Sequence, residues 1–365
     1  MRIDFLITGL DYGGAEIQVV SLLERLKCRG HKVRIISLTP PLAFVDKLTA
    51  MDIPVISLNM KSAFDFPRAL FKLGKLLSAE CPDVLHGHMV HANIMARLSR
   101  LLSPKIRLVT TAHNTTEGGK LRDWVYRLTN PLSHLNTTVS ESATRRFLSD
   151  KVFPISNTRT IFNGIDTERF SPSEVEVNVE SKSQVFTWLA VGRLAEQKDY
   201  PTLLEAFSLL STGKLLIAGK GPLQGELEEM VERLSLGERV SFLGVRNDVD
   251  ELYRQVDGFV LSSAWEGYGL VVAEAMATSL PVVVTDSGGP GEIVGSGGNF
   301  GRLVPVRNHE ALAAAMTEIM KMTTEERFQL GLAGRQRILN HFSLDTVVSD
   351  WENIYLELTS VGGGK

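Results

Sequence analysis

This sequence predicts an α/β fold of two doubly wound, Rossmann-like domains, and three observations predict it. Apolar runs of strand length alternate with helical patterns along the whole chain, which is the signature of βαβ units and parallel sheets. The alternation falls into two series, separated by a polar, acid-rich stretch over 166–183 that contains Pro172. The 365 residues suffice for two domains of roughly 150 residues, each able to bury its own core. The expected division is a first domain over 1–165, a connection over 166–183 and a second domain over 184–340. A C-terminal helix and tail over 341–365 are expected to pack back toward the first domain. In doubly wound sheets ligands bind beyond the carboxyl ends of the strands, so the two domains are expected to face each other across a cleft.

In the first series the strand-length runs are Ile3–Ile7, Val33–Leu38, Val55–Leu58, Val84–His86, Leu108–Ala112, Asn136–Val139 and Thr160–Phe162. Helical patterns between them include Ala15–Cys28, Phe66–Ala79, Ile94–Leu102 and Leu121–Asn130. The second series has strands at Val185–Val191, Lys214–Ala218, Val240–Leu243, Gly258–Leu261 and Pro281–Thr285. Its helices include Thr202–Leu210, Leu223–Leu234, Val249–Gln255 and Gly269–Thr278, and Leu344–Leu358 reads as one amphipathic helix.

Composition narrows the function classes. With 44% hydrophobic and 22% charged residues, the chain is ordinary globular protein, not disordered, collagen-like or a disulfide scaffold. Cys28 and Cys81 form no CxxC and fit a reducing compartment. No apolar run approaches the roughly 18 residues a membrane span needs. Asp4 interrupts any signal-peptide core at the start, so a cytoplasmic location is expected. The net charge of −3 hides an asymmetry: residues 1–165 hold 22 Lys+Arg against 13 Asp+Glu, and residues 166–365 hold 17 against 29. A basic first half suits an anionic partner. The chain has no nucleic-acid motif and no Lys/Arg block, so an anionic membrane face or a phosphate-bearing substrate fits better.

Three stretches carry chemistry. Gly13-Gly14-Ala15-Glu16 follows the first strand and opens a helix; its glycines admit close backbone approach and the helix start offers amides to a phosphate. A Gly-Gly turn capping a helix is at least as common, and the spacing is not that of a nicotinamide-dinucleotide fingerprint. Gly192-Arg193 through Lys198 leaves a strand with two cations five residues apart, which could neutralise a leaving pyrophosphate. The third stretch, Glu266 through Glu274, runs from a strand end through a Gly-rich turn into a helix. Its two carboxylates would stand on the order of 12 Å apart if the stretch were all helical. That span suits a ligand with hydroxyls at both ends and phosphates between, facing the amides of Tyr268–Val271.

These stretches belong to a wider pattern. With Asp83-Val84-Leu85-His86-Gly87-His88, Thr111-Ala112-His113-Asn114, Asn163-Gly164-Ile165-Asp166 and Ala218-Gly219-Lys220-Gly221-Pro222, the sequence resembles the bacterial retaining glycosyltransferases of family 4, of GT-B fold, over essentially its whole length. Tyr268 stands where that family more often has Phe. The resemblance implies transfer of a sugar from a nucleotide-diphosphate sugar, a UDP-sugar, to a lipid-linked or lipopolysaccharide saccharide. The product would be an α-glycoside, and the enzyme a hexosyl- or N-acetylhexosaminyltransferase.

The resemblance also implies residue roles. Glu266 would bind hydroxyls of the transferred sugar and Glu274 the ribose. Arg193 and Lys198 would hold the diphosphate, with Gly13, Gly14, Gly269, Leu270 and Val271. His113 would lie beside the donor sugar, Gly219 and Arg246 would border the nucleobase, and His88 would lie on the acceptor side. No cofactor or metal is implied, nor any nucleic-acid partner, and the enzyme would work at the inner membrane face.

Other patterns in the sequence carry less chemistry. His86, His88 and His91 have no acidic ligand nearby and do not converge for a metal. Asp248-Val249-Asp250 matches the metal-binding Asp-x-Asp of glycosyltransferases of another fold, but reads better as a helix start. The sequons at Asn114 and Asn136 go unused without a signal peptide. Basic and aromatic residues cluster over Phe66–Lys75 and Lys120–Arg127, where either helix could rest on an anionic bilayer or simply solvate its basic side. Two rival functions are kept: a GT-B sugar-nucleotide 2-epimerase, which needs no acceptor, and a non-catalytic sugar-nucleotide sensor.

Overall fold

The computed structural model describes residues 1–115, 118–173 and 185–360. They form two compact units, Met1–Gly164 with the C-terminal segment from Leu344, and Ile165–Ser343.

The first unit starts with β1 (Arg2–Ile7), α1 (Gly14–Cys28), β2 (Lys32–Ser37), α2 (Val45–Ala50) and β3 (Val55–Ser57). It continues with α3 (Phe66–Glu80), β4 (Val84–His88), α4 (Val90–Ser99), β5 (Arg107–Ala112) and α5 (Lys120–Thr129). β6 (Leu135–Thr138), α6 (Glu141–Ser149) and β7 (Thr158–Thr160) complete the sheet, whose order is β3-β2-β1-β4-β5-β6-β7. Every pairing is parallel. Alternate residues of β1 serve opposite layers, as the pleat requires. Ile3, Phe5 and Ile7 pack with α1 on one face, and Leu6 packs with Leu73, Leu77, Met95 and Ala96 on the other. The β1–β2 register sets Asp4 beside Arg34, whose guanidinium takes the carboxylate bidentately at 2.7 and 2.6 Å. Burial still pushes that carboxyl up.

The second unit follows the same scheme. It contains β8 (Thr187–Val191), α7 (Tyr200–Ser208), β9 (Lys214–Ala218), α8 (Gln224–Arg233), β10 (Val240–Gly244) and α9 (Val249–Gln255). β11 (Gly258–Leu261), α10 (Leu270–Ala277), β12 (Val282–Thr285), α11 (Gly289–Val294) and β13 (Arg302–Val304) follow. α12 (His309–Lys321) and α13 (Thr324–His341) close the unit. The strand order is β10-β9-β8-β11-β12-β13, all parallel. Both orders are doubly wound, as the alternation predicted. β13 is a further strand that periodicity missed, since three residues beginning with an arginine carry no pattern.

Helix α14 (Leu344–Ser360) belongs to the first unit. Leu344, Val347, Val348, Trp351, Ile354 and Tyr355 are buried in the same core as β1, a 3–4 spacing that makes one apolar stripe. At the expected connection, residues 166–173 pack on the second unit, because Phe170 is buried and Arg169 pairs with Asp250 at 3.0 Å. Residues 174–183 lie outside the described residues. No described helix is long and apolar enough to cross a membrane.

Trp351 is buried with its ring 4.5 Å from that of His86, so Trp351→Ala should cost about 3–5 kcal/mol of unfolding free energy. Urea denaturation checks this, and a loss under about 1 kcal/mol would mean that α14 adds little to the core.

Candidate functional site

Each sheet reverses its winding once, between β1 and β4 in the first unit and between β8 and β11 in the second. Connections leave those neighbouring strands toward opposite faces and open a crevice at their carboxyl ends.

In the second unit this crevice holds Lys198 and Glu266. Glu266 is buried, follows β11, and is fixed by its backbone, its N–H donating to the Ser287 carbonyl at 2.8 Å. Its carboxylate accepts from the Lys198 ammonium, from Ser263 Oγ at 2.8 Å and from Gln197 Nε2 at 3.2 Å. The sequence placed Lys198 and Glu266 on different parts of a ligand, whereas here they hold each other. A buried carboxylate needs such donors, since desolvation without them costs several kcal/mol. Arg193 is exposed, and among the described residues its guanidinium has no hydrogen-bond or ionic partner. Two cations therefore lie in one loop, one committed to a carboxylate and one available.

Glycines let these loops approach. Gly219 has φ +144°, and a Cβ on it would overlap the carbonyl oxygen of Gly192. The turns after β8 and β9 thus run in backbone contact, and Leu194 N–H donates to the Lys220 carbonyl at 3.1 Å. Gly269 caps α10 at φ +89° with no side-chain cap, so the first amides of α10, at Leu270 and Val271, have no partner within their own helix.

Glu274, one turn into α10, accepts from Tyr253 Oη at 3.1 Å. Burial pushes its carboxyl up to about 7, against the opposing pull of the Tyr253 hydrogen bond and of Arg169. The sequence missed Ser263, Gln197 and Tyr253. Ser263 and Gln197 stand three residues and one residue from the recognised Glu266 and Lys198, a proximity that could have flagged them. Tyr253 lies on a helix remote in sequence and gave no signal. Arg246 is engaged by Asp248 at 2.8 and 2.5 Å. Asp248 precedes α9 while Asp250 pairs with Arg169 and Arg254, so the Asp-x-Asp carboxylates are spoken for by arginines.

In the first unit, Gly13 and Gly14 open α1 without a side-chain cap. Glu16 folds back until its carboxylate lies where a Gly13 Cβ would be, and burial pushes that carboxyl up. The loop expected to help hold a diphosphate therefore already has an acidic neighbour. His113 stands just beyond β5 and is buried. Burial lowers its pKa to about 4, so it is neutral at physiological pH. His88, expected on the acceptor side, is 2% exposed, stacked on Phe5 with ring centroids 5.5 Å apart, and its Nδ1 lies 3.0 Å from His113 Nε2. His91 is on α4 with its side chain exposed, away from any such pair. Among the described residues no three His, Cys, Asp or Glu converge for a metal. Asn136, one of the sequons, is buried and accepts from Arg97 at 2.7 Å.

Two family models match this chain: Glycosyltransferase Family 4 over residues 12–169 and Glycosyl transferases group 1 over residues 174–337. Among curated relatives, N-acetyl-alpha-D-glucosaminyl L-malate synthase of Bacillus anthracis is 25% identical, covering 95% of this chain and 94% of its own. UDP-Gal:alpha-D-GlcNAc-diphosphoundecaprenol alpha-1,3-galactosyltransferase of Escherichia coli is 26% identical over 86% of this chain and 85% of its own. A crystal structure of a glycosyltransferase from Rickettsia africae shares the fold, with a TM-score of 0.87 at 20% identity over 100% of this chain and 99% of that one.

The raised pKa of Glu274 has a sign that can be tested. The fold favours the protonated form, so the group costs nothing below pH 4.5 and becomes destabilising as pH rises toward and through 7. Relative to Glu274→Gln, the wild type should lose at most about 3 kcal/mol across that window. Urea titrations of both proteins at several pH values would show it. A difference that stays constant from pH 4.5 to above 7 would mean that Glu274 is not desolvated.

Proposed function

This chain belongs to the GT-B glycosyltransferases, with a family 4 domain followed by a group 1 domain, and from that premise we propose a donor, an acceptor and a stereochemistry. The donor is a UDP-sugar, the acceptor a lipid-linked or lipopolysaccharide saccharide, and the product an α-glycoside formed with retention. The transferred group is a hexosyl or N-acetylhexosaminyl unit. The observation that carries this reading is the Lys198–Glu266 couple in the crevice of the second sheet, beside the first amides of α10.

In this reading the diphosphate takes the Lys198 ammonium, the Arg193 guanidinium and the amides of Leu270 and Val271, which lie where leaving-group charge develops. Glu266 then accepts from hydroxyls of the sugar and Glu274 from those of the ribose. Gly219 and Arg246 border the base. The bond from the anomeric carbon to the β-phosphate oxygen breaks and UDP leaves. The acceptor oxygen bonds to that carbon, and its proton passes to the departing β-phosphate oxygen. Cations and amides supply the counter-charge, so no metal takes part.

The name of the Escherichia coli relative gives a UDP-sugar and a diphosphoundecaprenol acceptor, whereas that of the Bacillus anthracis relative gives malate. A feature of the first unit favours the lipid. On α5, Leu121, Trp124 and Leu128 are exposed on one face, with Lys120 and Arg127 exposed beside them. On α3 the Lys75 ammonium lies 4.7 Å over the exposed ring of Phe71. Apolar side chains framed by cations suit an anionic bilayer, so the enzyme works on the inner membrane face.

A panel of radiolabelled UDP- and GDP-sugars, incubated with total membrane lipid or malate and with or without chelator, tests the reading. Label should move from a UDP-sugar into the organic phase at a rate the chelator leaves unchanged. Label found only on malate would remove the lipid acceptor, and interconversion of the UDP-sugar alone would establish an epimerase. Glu266→Ala and Lys198→Ala should each lower kcat/KM about 10²–10³-fold while circular dichroism is retained; wild-type turnover in either would remove its role. Replacing Leu121, Trp124 and Leu128 by serine should abolish co-sedimentation with phosphatidylglycerol vesicles, and unchanged sedimentation would take α5 out of the contact.

A further inference from the structure

Glu274 presents its two carboxylate oxygens unequally. Oε2 accepts from Tyr253 Oη at 3.1 Å. Oε1 has no hydrogen-bond partner among the described residues and is not sealed from solvent. A carboxylate oxygen has two lone-pair sites, which matches the two hydrogens of a vicinal diol.

Tyr253 stands where it serves that division. It is fully buried, its ring edge-on to those of Phe170 and Phe259 at 6.0 and 5.8 Å between centroids. Burial pushes its hydroxyl well above the ordinary phenol range, so it stays a donor. Its single hydrogen has two acceptors in reach, Glu274 Oε2 and the Val271 carbonyl at 3.2 Å. With Glu274 ionised, the hydrogen goes to Oε2. With Glu274 protonated on Oε2, the carboxyl donates to the phenol oxygen and the phenol turns to Val271. One hydroxyl rotation accommodates both states, and neither leaves the buried hydrogen without an acceptor.

The neighbouring charged and titratable groups are engaged elsewhere. Arg169 pairs with Asp250 at 3.0 Å, Asp250 also takes Arg254 at 2.9 Å, and Lys198 is on Glu266. Tyr200 donates to the Gly192 carbonyl at 3.1 Å. From α13, Arg335 donates to the carbonyls of Phe170 and Ala277, and from α11 Glu292 bears on Tyr268. Among the described residues only Tyr253 makes a side-chain hydrogen bond to Glu274, and it opposes the burial that pushes that carboxyl up.

We propose that Tyr253 is a positioning residue that donates to Oε2 of Glu274 and leaves Oε1 to the ribose diol, so that nucleotide binding expels the carboxyl proton to solvent. This rests on the reading above that sets Glu274 against the ribose.

The test is titration calorimetry of the full chain with UDP and with 2′,3′-dideoxy-UDP, in buffers of different ionisation enthalpy. Both ligands carry the same phosphates, so their difference reports on the diol. Near pH 7 the wild type should release roughly half a proton more with UDP than with the dideoxy compound. Tyr253→Phe keeps the ring but has no hydroxyl, and should weaken UDP binding about 5–10-fold at pH 7 and under about 2-fold at pH 8.5. In a Glu274→Gln background the same substitution should have no pH-dependent effect. Equal proton release with the two ligands overturns the proposal, as does a Tyr253→Phe deficit that stays constant with pH, which is what lost packing alone would give. Should Tyr253→Phe fail to fold, the wild-type comparison of the two ligands still decides. The underlying reading fails differently: UDP affinity unchanged in Glu274→Gln would take the ribose away from Glu274 altogether.

Discussion

A parallel sheet that grows first to one side of its founding strand and then to the other leaves one pair of neighbours whose connections depart to opposite faces. Neither connection can cover the gap at their carboxyl ends, so the backbone there is open to a ligand. This chain does it twice, at β1/β4 and β8/β11. The residues that matter are those the winding delivers to the two gaps: Gly13 and His88 at one, Arg193, Lys198 and Glu266 at the other. His113 comes from the strand next to the first gap. The long-range pairing of the strands therefore fixes the chemistry before any side chain is chosen.

The side chains in the second gap are arranged for charge. Glu266 is buried, and an ammonium, a hydroxyl and an amide all donate to its side chain. A buried ion pair is weak evidence for stability, since removing two charges from water cancels most of their attraction. Its worth here is positional. Lys198 is kept in the crevice rather than in solvent, and Glu266 is held in place among apolar strand ends. A ligand bringing phosphates and hydroxyls would take over partners that already point the right way, with little reorganisation left for the reaction itself.

The sequence shows its folding logic unevenly. The alternation of strands and helices was legible because β1, β2, β8, β11 and β12 are apolar runs buried on both faces, and α14 because its stripe from Leu344 to Tyr355 keeps strict helical spacing. β7 and β13 were misplaced or missed, since Thr-Arg-Thr and Arg-Leu-Val at sheet edges carry no periodic signal. At the candidate site the glycines and charged residues stood out because each broke a local pattern at a strand end. Pairing did not stand out. That Lys198 meets Glu266, that Tyr253 meets Glu274 and that His88 meets His113 are contacts between residues 21 to 68 apart in the chain, created by tertiary folding alone.

Two of those pairings bear on protonation. In the first unit burial lowers the pKa of His88 and His113, so both histidines stay neutral. In the second, Glu266 accepts from the Lys198 ammonium, while Glu274 accepts from the Tyr253 phenol and burial pushes its carboxyl up to about 7. That matters for hydroxyl recognition at Glu274, because an ionised carboxylate only accepts hydrogen bonds and a protonated one also donates. A vicinal diol bound at Glu274 would give its hydrogens to the ionised form and pull the proton off. Ligand binding and proton release are then linked at that carboxyl.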